Sequence, residues 1–362
     1  MADEDGISSK RQPGREVGGR GSGGAENPRR DSSDAGRQHR RYGGFRRGYR
    51  RTSQSQPGEH PHAERTRKVI LFENPHAAGF SEPVAERFSA ELASKGFVVE
   101  RRRPKSAHDM AVAASDARTE RPWAMIAAGG DGAVNLVARS IVGSPIRFGA
   151  LPLGRFNNFF RSLIGPPSPK TALAAIIAGD TVNVDCGKVS GQPFFTAFAL
   201  GFIPTLAEAL ARRSSPGWGL TWSRLAARVA SETTRAPLGL RIDSRTFEIS
   251  PLLMSVHLLS HAVGLPFAPS ANPDDRRFEV IVDIDPHGAS LSRYVRDVFK
   301  RRYLYDDGIH LYRAQEISVG PVRGAALYVD GELITAPINA LDVTFYSGHL
   351  RALVPPRSAT PS

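Results

Sequence analysis

The chain has 362 residues, 40% of them hydrophobic, and a formal charge of +12 at pH 7. This length suits two domains and a tail, and the hydrophobic content is ordinary for a globular protein. The single cysteine, Cys186, excludes a framework of internal disulfides, and we expect it to be a small buried strand residue. No apolar run has the length of a membrane span and no secretory signal is visible, so we expect a cytoplasmic protein. The positive charge favours anionic partners such as phosphate ligands, acidic lipid headgroups or nucleic acid.

Residues 1–66 are rich in Gly, Ser, Arg and Gln and poor in aliphatic side chains. A segment of this composition cannot bury a core, so we expect a disordered tail. Its stretch 37–51, RQHRRYGGFRRGYRR, interleaves seven arginines with three aromatic residues and has no acid. Such a stretch is typical of tails that hold RNA or anionic surfaces, and it could concentrate the protein on acidic lipid. A solvated tail with no fixed partner accounts for it equally well.

Strands and helices alternate in the sequence pattern from residue 67 to about 180. Strands are expected at 69–72, 97–99, 124–128 and 148–153. Helices are expected at 83–95, after the Ser106 capping box, after each of the last two strands, and from Pro169 to about 179. This alternation predicts an α/β nucleotide-binding domain over 67–180 with a doubly wound parallel sheet.

After residue 181 the pattern changes to short strands, with hairpin signals between them. Strands are expected at 182–186, 194–198, 238–242, 246–249, 252–259, 278–284, 326–329, 333–334 and 341–345, and helices at 206–213, 220–229 and 291–299. This pattern predicts a second, mainly antiparallel, sandwich-like β domain over 181–356. Its last strands could return to the first domain.

Two glycine-rich turns follow neighbouring predicted strands of the first domain. The first, GGDG at 129–132, precedes apolar residues at helical spacing, and the second, GRFNNF at 154–159, also leads into a helix. Glycine at a strand-to-helix turn lets backbone N–H groups approach a phosphate, and the helix start adds partial positive charge. One such turn is more often a plain turn than a ligand site. Two of them in order predict a nucleotide site at the carboxyl edge of a parallel sheet.

A third motif, Asp330-Gly331-Glu332, follows the strand predicted at 326–329. Asp-Gly between two strands is a strong hairpin signal, and spacing alone favours a plain turn. A carboxylate at such a turn could also accept a proton from an alcohol that attacks a phosphoryl group.

Together these motifs resemble the diacylglycerol kinase catalytic-domain superfamily, which includes bacterial lipid kinases, sphingosine kinases and ceramide kinases. The family pattern runs Asn-Pro-x-x-Gly, GGDGTxNE, LPxGTxNDFAR and finally DGE. This chain reads NPHAAG at 74–79, GGDGAVNLV at 129–137, LPLGRFNNFFRSL at 151–163 and DGE at 330–332. The segments 184–189 and 347–355 resemble the first strand of the family's lipid domain and its closing strand, so the resemblance covers about 68–356.

The resemblance implies a two-domain lipid kinase that uses ATP with Mg²⁺. The residues that it would place at the nucleotide phosphates are Asn74, Pro75, Gly79, Gly129, Gly130, Asp131, Gly132, Asn135, Gly154, Arg155 and Asn157. It would place Asp330 and Glu332 in the cleft, one of them as the base that activates the lipid hydroxyl, without deciding which. In some bacterial members a loop like 269–280 holds a structural magnesium through an Asp-Gly. This chain has Asp275 followed by Arg276 there, which makes Asp275 the candidate metal ligand.

Four positions depart from the family pattern. Ala133 and Arg155 stand where the family has threonine, Leu136 where it has glutamate, and Asn158 where it has aspartate. The lost hydroxyls would help to hold phosphates or magnesium, although a guanidinium at position 155 can bind phosphate through two hydrogen bonds. The lost carboxylates remove negative charge near the metal.

We therefore expect a lipid kinase of phospholipid metabolism that acts on a diacylglycerol-like or sphingoid alcohol, cytoplasmic and peripheral at the inner membrane surface. One alternative is a catalytically degenerate kinase fold that binds nucleotide or lipid and is tethered by its tail. The retained DGE favours the enzyme, and the substituted positions favour the degenerate fold. A further alternative is an NAD kinase, which shares GGDG but not the GRFNNF turn or the NPHAAG start.

Overall fold

The computed structural model describes residues 67–212, 220–285, 287, 289–300, 308–322, 325–334 and 340–356. The predicted tail, with its basic stretch 37–51, lies outside the described residues. Within the described part, no helix is both long and apolar enough to cross a membrane.

Four parallel strands form the first half of the larger sheet. They are β1 (Arg67–Glu73), β2 (Phe97–Arg102), β3 (Ala124–Gly129) and β4 (Arg147–Pro152), in the order β2-β1-β3-β4. The intervening helices are α1 (Glu82–Ser94), α2 (Ala107–Thr119), α3 (Asp131–Ile141), α4 (Asn158–Leu163) and α5 (Pro169–Ala178). Strand β3 is buried along its whole length, as a parallel strand covered on both faces must be. The predicted parallel α/β core is confirmed.

Local sequence signals set the limits of these helices. Helix α2 begins after Ser106, whose hydroxyl accepts a hydrogen bond from Asp109 N at 3.0 Å. Helix α5 begins with a proline after the N-cap Ser168 and ends at Gly179, which has φ +70°.

The second half of the chain is mainly antiparallel. Its strands are β5 (Thr181–Val189), β6 (Gln192–Phe194), β7 (Ala197–Gly201), β8 (Leu238–Ile242), β9 (Arg245–Ile249), β10 (Leu253–His257), β11 (Phe278–Asp283), β12 (Ile309–Ala314), β13 (Ile317–Gly320), β14 (Leu327–Val329), β15 (Glu332–Ile334) and β16 (Leu341–Leu353). Its helices are α6 (Phe202–Ala211), α7 (Leu220–Glu232) and α8 (Ala289–Lys300). The separate antiparallel sheet has the order β12-β11-β10-β7-β14-β15, which confirms the predicted change of architecture.

Strand β16 links the two halves. It pairs in parallel with β4, Arg351 lying beside Arg147, and antiparallel with β5 along most of its length. Strands β13, β8 and β9 extend the same sheet beyond β16. Apolar side chains of this extension, such as Leu240 and Val343, pack with Val256 and Val280 of the antiparallel sheet to form a sandwich core.

The strand predicted at 194–198 is interrupted. Strand β6 ends at Phe194 and β7 begins at Ala197. The N–H groups of Phe195 and Thr196 donate instead to the carboxylate of Asp330, so they are unavailable to a strand ladder. Cys186 is buried in β5, as expected.

Candidate active site

The two glycine turns pack directly against each other at the carboxyl edge of the parallel strands. A Cβ atom on Gly154 would lie 2.2 Å from Gly130 Cα, and one on Gly130 would lie 3.2 Å from Gly154 Cα. Leu153 N donates to Gly129 O at 3.0 Å, which ties the second turn to the first. Glycine is therefore required here by the close approach of two backbones, and the free N–H groups at the start of α3 lie beside this contact.

The loop 74–79 lies against both turns. Asn74 N donates to Ala128 O at 2.9 Å, and Gly79 N donates to Leu153 O at 2.9 Å. The Asn74 side chain folds its own loop, because Oδ1 accepts from His76 N at 3.0 Å. Pro75 lies between these contacts, half-buried. The structure thus gathers the three N-terminal motifs at one edge of the sheet.

Asn157 closes the second glycine turn. It has φ +53°, and its side chain accepts from Gly154 N at 2.9 Å and donates to Gly154 O at 2.7 Å. Asparagine is one of the few non-glycine residues that adopt this left-handed conformation readily. The amide therefore shapes the turn from which backbone groups would meet a ligand.

The DGE hairpin packs on the start of α3. Asp330 and Gly331 form the turn between β14 and β15, with φ +48° and +95°. A Cβ atom on Gly331 would lie 2.8 Å from Asp131 Cβ, and one on Gly132 would lie 2.5 Å from Glu332 Oε1. The GGDG and DGE motifs, far apart in the chain, therefore form one site.

The carboxylate of Asp330 is buried and engaged at both oxygens. Oδ1 accepts from Thr196 N at 2.7 Å, Thr196 Oγ1 at 2.6 Å and Ala197 N at 3.2 Å. Oδ2 accepts from Phe195 N at 2.7 Å and Asn135 Nδ2 at 2.8 Å. Burial raises the pKa of Asp330, and the hydrogen bonds from Thr196 and Asn135 oppose this rise. Asp330 thus fixes the β6–β7 connection, while Asn135 ties α3 to the hairpin and also donates to Pro193 O.

Glu332 differs from Asp330 in its surroundings. Its side chain is exposed and makes no hydrogen bond or ion pair with a described residue. Partial desolvation raises the pKa of Glu332, the negative charge of Asp330 raises it further, and Arg139 lowers it. Glu332 lines a cavity of about 50 Å³ together with Asn135, Leu136 and Arg139. Its carboxylate is open to accept a proton.

Asp131 is the acidic group of a larger cavity of about 290 Å³. The other lining residues are Gly132, Arg155, Phe156, Ala207, Ala211, Gly331 and Leu333. Burial raises the pKa of Asp131 to about 7, the N–H of Phe159 lowers it, and the charge of Asp330 raises it. Asp131 Oδ1 accepts a hydrogen bond from Phe159 N at 3.4 Å, and the main-chain N–H groups of Asn158 and Asn157 also lower the pKa of Asp131.

Asn158 has a role that the sequence did not reveal. It is fully buried and donates from Nδ2 to Asp131 Oδ2 at 3.0 Å and to the Tyr328 hydroxyl at 2.9 Å. Its Oδ1 accepts from Gly264 N at 2.8 Å, and Val263 N donates to the same Tyr328 hydroxyl at 3.1 Å. Tyr328 was also missed, although its place two residues before Asp330 on β14 was the available signal.

The other departures from the family pattern lie around this site. Arg155 is exposed in the wall of the larger cavity and donates from Nη1 to Leu210 O of α6 at 2.5 Å. Ala133 is buried beneath Gly129, and Leu136 is half-buried beside the smaller cavity.

Asp275 lies apart from these motifs. It lies in the loop before β11, where its Oδ1 accepts from Arg277 N at 3.1 Å. Among the described residues, no group of three His, Cys, Asp or Glu side chains is arranged to hold a metal ion.

The sequence of this chain is similar to those of known diacylglycerol kinases. Residues 68–189 match the family described as the diacylglycerol kinase catalytic domain. A diacylglycerol kinase of Staphylococcus saprophyticus is 27% identical over 212 residues, 58% of this chain and 70% of that protein. One of Staphylococcus carnosus is 24% identical over 246 residues, 67% of this chain and 80% of that protein.

Solved structures show the same fold. Two structures of diacylglycerol kinase-type proteins from Bacillus anthracis str. Sterne have TM-scores of 0.68 and 0.62, with 20% and 18% identity. Each covers 81% of this chain, and this chain covers 99% of each. Over residues 68–189 the chain is thus similar to the diacylglycerol kinase catalytic domain, and its fold is that of the solved diacylglycerol kinase-type proteins.

Proposed function

We propose that the protein is an ATP-dependent kinase that phosphorylates the hydroxyl of a diacylglycerol-like or sphingoid lipid. The observation that carries this proposal is the packing of the DGE hairpin on the start of α3, which puts Glu332 and Asp131 beside the paired glycine turns. Backbone N–H groups at a helix start bind phosphate, and a carboxylate next to them can activate an attacking alcohol.

The larger cavity supports a lipid hydroxyl as the acceptor. It is lined by the charged Asp131 and by apolar side chains such as Phe156 and Leu333. A hydroxyl-bearing headgroup would lie at Asp131, with the first carbons of the lipid against the apolar side chains.

Glu332 is the base in this proposal, and Asp330 is the residue that orders the hairpin. Glu332 takes the proton of the lipid hydroxyl as the oxygen attacks the γ-phosphorus, the bond to the β-phosphate bridging oxygen breaks, and ADP leaves. The negative charge of Asp330 raises the pKa of Glu332, which makes Glu332 a better proton acceptor near neutral pH. Asp330 itself has no free oxygen for this task.

Mg²⁺ would accompany the nucleotide. The described residues include no metal-holding group of three, but Mg²⁺ in kinases needs only one or two carboxylates in addition to the substrate phosphates. We therefore propose MgATP as the donor and assign no step to the metal.

Asn158 favours a second candidate function, a kinase fold that binds nucleotide or lipid without turnover. Asn158 stands where the family pattern has an acid, so the contact between positions 158 and 131 contains a single carboxylate, that of Asp131. Ala133 and Leu136, which replace a threonine and a glutamate of the family pattern, also favour a fold without turnover.

The basic stretch 37–51 supports a peripheral location in this proposal. Seven arginines without an acid would bind anionic lipid at the inner membrane surface, or RNA. Sedimentation of the full chain and of a 67–362 truncation with anionic vesicles and with RNA, at low and high salt, tests this role. Equal retention of both proteins would exclude it.

The direct test of the kinase is an assay of the full chain with γ-labelled ATP, Mg²⁺ and vesicles that carry diacylglycerol, sphingosine or ceramide. We expect label in one lipid product and none with Glu332→Gln. Calorimetric ATP binding without product would support the degenerate fold, whereas the absence of both would overturn the proposal.

A further inference from the structure

The loop before β11 places Asp274 and Asp275 near enough to Asp185 of β5 for their charges to act on it. Asp185 of β5 is 2% exposed, and its main-chain N–H donates to Pro273 O at 2.7 Å. Asp274 and Asp275 follow in the same loop, and their negative charges raise the pKa of Asp185, which burial has already raised. Carboxylates at such a place repel one another unless a cation lies among them.

Arg276 is a cation at this position. The main-chain N–H of Arg276 donates to Asp185 Oδ2 at 2.8 Å. This bond and the positive charge of Arg276 lower the pKa of Asp185, whereas burial raises it. Its guanidinium lies 4.5 Å from the centre of the Phe345 ring and donates to Tyr346 O at 3.1 Å. One residue therefore joins the acidic loop to β5 and to β16.

The backbone of Arg276 argues that its side chain matters. Arg276 has φ +55°, a left-handed conformation that glycine adopts freely and arginine adopts at a cost. The contacts of the Arg276 side chain with Phe345 and Tyr346 hold the backbone in this strained conformation.

A second arginine neutralises the other side of the loop. Arg313 Nη2 lies 3.1 Å from Glu279 Oε1, and Glu279 is 2% exposed. Arg313 also lowers the pKa of Asp275, which burial raises. The acidic groups at this loop thus already face positive side chains.

We propose that Arg276, rather than a structural divalent cation, holds this loop on β5 and β16, through its main-chain N–H to Asp185 and its guanidinium on Phe345 and Tyr346. Family resemblance implies a magnesium at an Asp-Gly here, and the residues present do not fit it. Arg276 stands at the glycine position, and the described residues form no metal-holding group of three. The proposal concerns stability and is independent of the kinase function.

Thermal unfolding of the full chain without nucleotide tests the proposal. The variants are Arg276→Gly, which relieves the backbone strain and restores the Asp-Gly, and Arg277→Ala, a matched control that removes an exposed charge from the next residue. Each is melted in EDTA, in Mg²⁺ and in Ca²⁺.

We expect the melting temperature of the unmodified chain and of Arg277→Ala to be the same in EDTA and in either cation. Arg276→Gly should melt ~2 °C or more below the unmodified chain in EDTA. Millimolar Mg²⁺ or Ca²⁺ should restore part of that loss, because a cation can then offset the negative charge that Arg276 no longer balances at this loop.

Two results would overturn the proposal. One is a cation-dependent melting temperature in the unmodified chain that Arg277→Ala shares, which would show a resident metal. The other is an Arg276→Gly protein that is more stable than the unmodified chain in EDTA, as relief of strain alone would make it.

Discussion

Asn158 donates a hydrogen bond to Asp131 across the two glycine turns, with 3.0 Å between Nδ2 and Oδ2. The family pattern has an acid at position 158, so this chain has replaced a pair of facing carboxylates by one carboxylate and one amide. The amide also reaches Tyr328 and Gly264, and thereby joins the second glycine turn to the mainly antiparallel half of the chain. The net charge of this buried contact is therefore set by the protonation state of Asp131.

Asp131→Asn should stabilise the fold above neutral pH. Burial raises the pKa of Asp131 from 3.8 to about 7. The folded protein therefore keeps a proton that the unfolded chain has lost between these values, and the free energy of unfolding falls as pH rises through that window. Removing the charge should raise the free energy of unfolding by ~2 kcal/mol at about pH 8, and by little near pH 4. Melting curves across this range measure the effect.

Asp285→Asn provides a control of opposite sign. Hydrogen bonds from the N–H groups of Ser290 and His287 lower the pKa of Asp285 to about 2. That contribution is present above the unfolded pKa and is lost as pH falls through the folded value. Asp285→Asn should therefore lower the melting temperature at neutral pH. A fall of the melting temperature in both variants at about pH 8 would contradict the assignment for Asp131.

Asn158→Asp should restore the family's acid and destabilise this particular protein. The new carboxylate would lie at the Asp131 oxygen in a fully buried position. We expect a loss of ~3 kcal/mol at neutral pH that shrinks when acid protonates the pair. Asn158→Ala loses the hydrogen bonds without adding charge, so its loss should change far less with pH. Equal pH dependence in the two variants would contradict this account.

The two glycines at the turn contact should respond differently to alanine. A Cβ on Gly154 would lie 2.2 Å from Gly130 Cα, whereas one on Gly130 would lie 3.2 Å from Gly154 Cα. Gly154→Ala must push the turns apart and should cost ~2 kcal/mol or more in stability. Gly130→Ala should fold with a smaller loss and bind ATP more weakly, since a methyl group then covers the start of α3. Unfolding curves and calorimetric ATP titration separate the two effects, and equal stability losses would argue against the contact.

Asp330→Asn and Glu332→Gln should separate structure from chemistry. The NH₂ of an amide at 330 would face the donors of one carboxylate oxygen, either those of Phe195 and Asn135 or those of Thr196, so we expect a stability loss of ~2 kcal/mol or more. Glu332→Gln should leave the melting temperature unchanged and reduce lipid phosphorylation ~10²-fold or more, as removal of a general base does. Full turnover in Glu332→Gln would remove Glu332 from the mechanism.

The parallel core was predictable because its signals are local. The buried strand before GGDG, the Ser106 cap and the Pro169 start each act within a few residues, and each lies where the pattern placed it. Adjacent parallel strands then bring the glycine turns to one edge, so the grouping of these motifs follows from topology.

The roles of individual polar side chains were not predictable in the same way. Asn157 and Asn135 were expected at phosphates, but their amides are used by Gly154 and Asp330, which depends on a loop conformation and a long-range contact. The strand expected at 194–198 is broken because Asp330, over a hundred residues later, takes its N–H groups. No periodicity in the sequence carries that information.

Arg155 should strengthen nucleotide binding through its charge. It lines the larger cavity beside Asp131 and Gly132, and its guanidinium lies at Leu210 O of α6. Arg155→Thr restores the family residue but removes the cation, so we expect ATP affinity to fall ~10-fold, about 1.4 kcal/mol. Arg155→Lys keeps the charge but loses the planar pair of donors, so it should retain an ATP affinity between those of the unmodified chain and Arg155→Thr. Calorimetric titration measures both, with the melting temperature as the control for the contact to α6. Unchanged ATP affinity in Arg155→Thr, together with a lowered melting temperature, would limit Arg155 to joining the second glycine turn to α6.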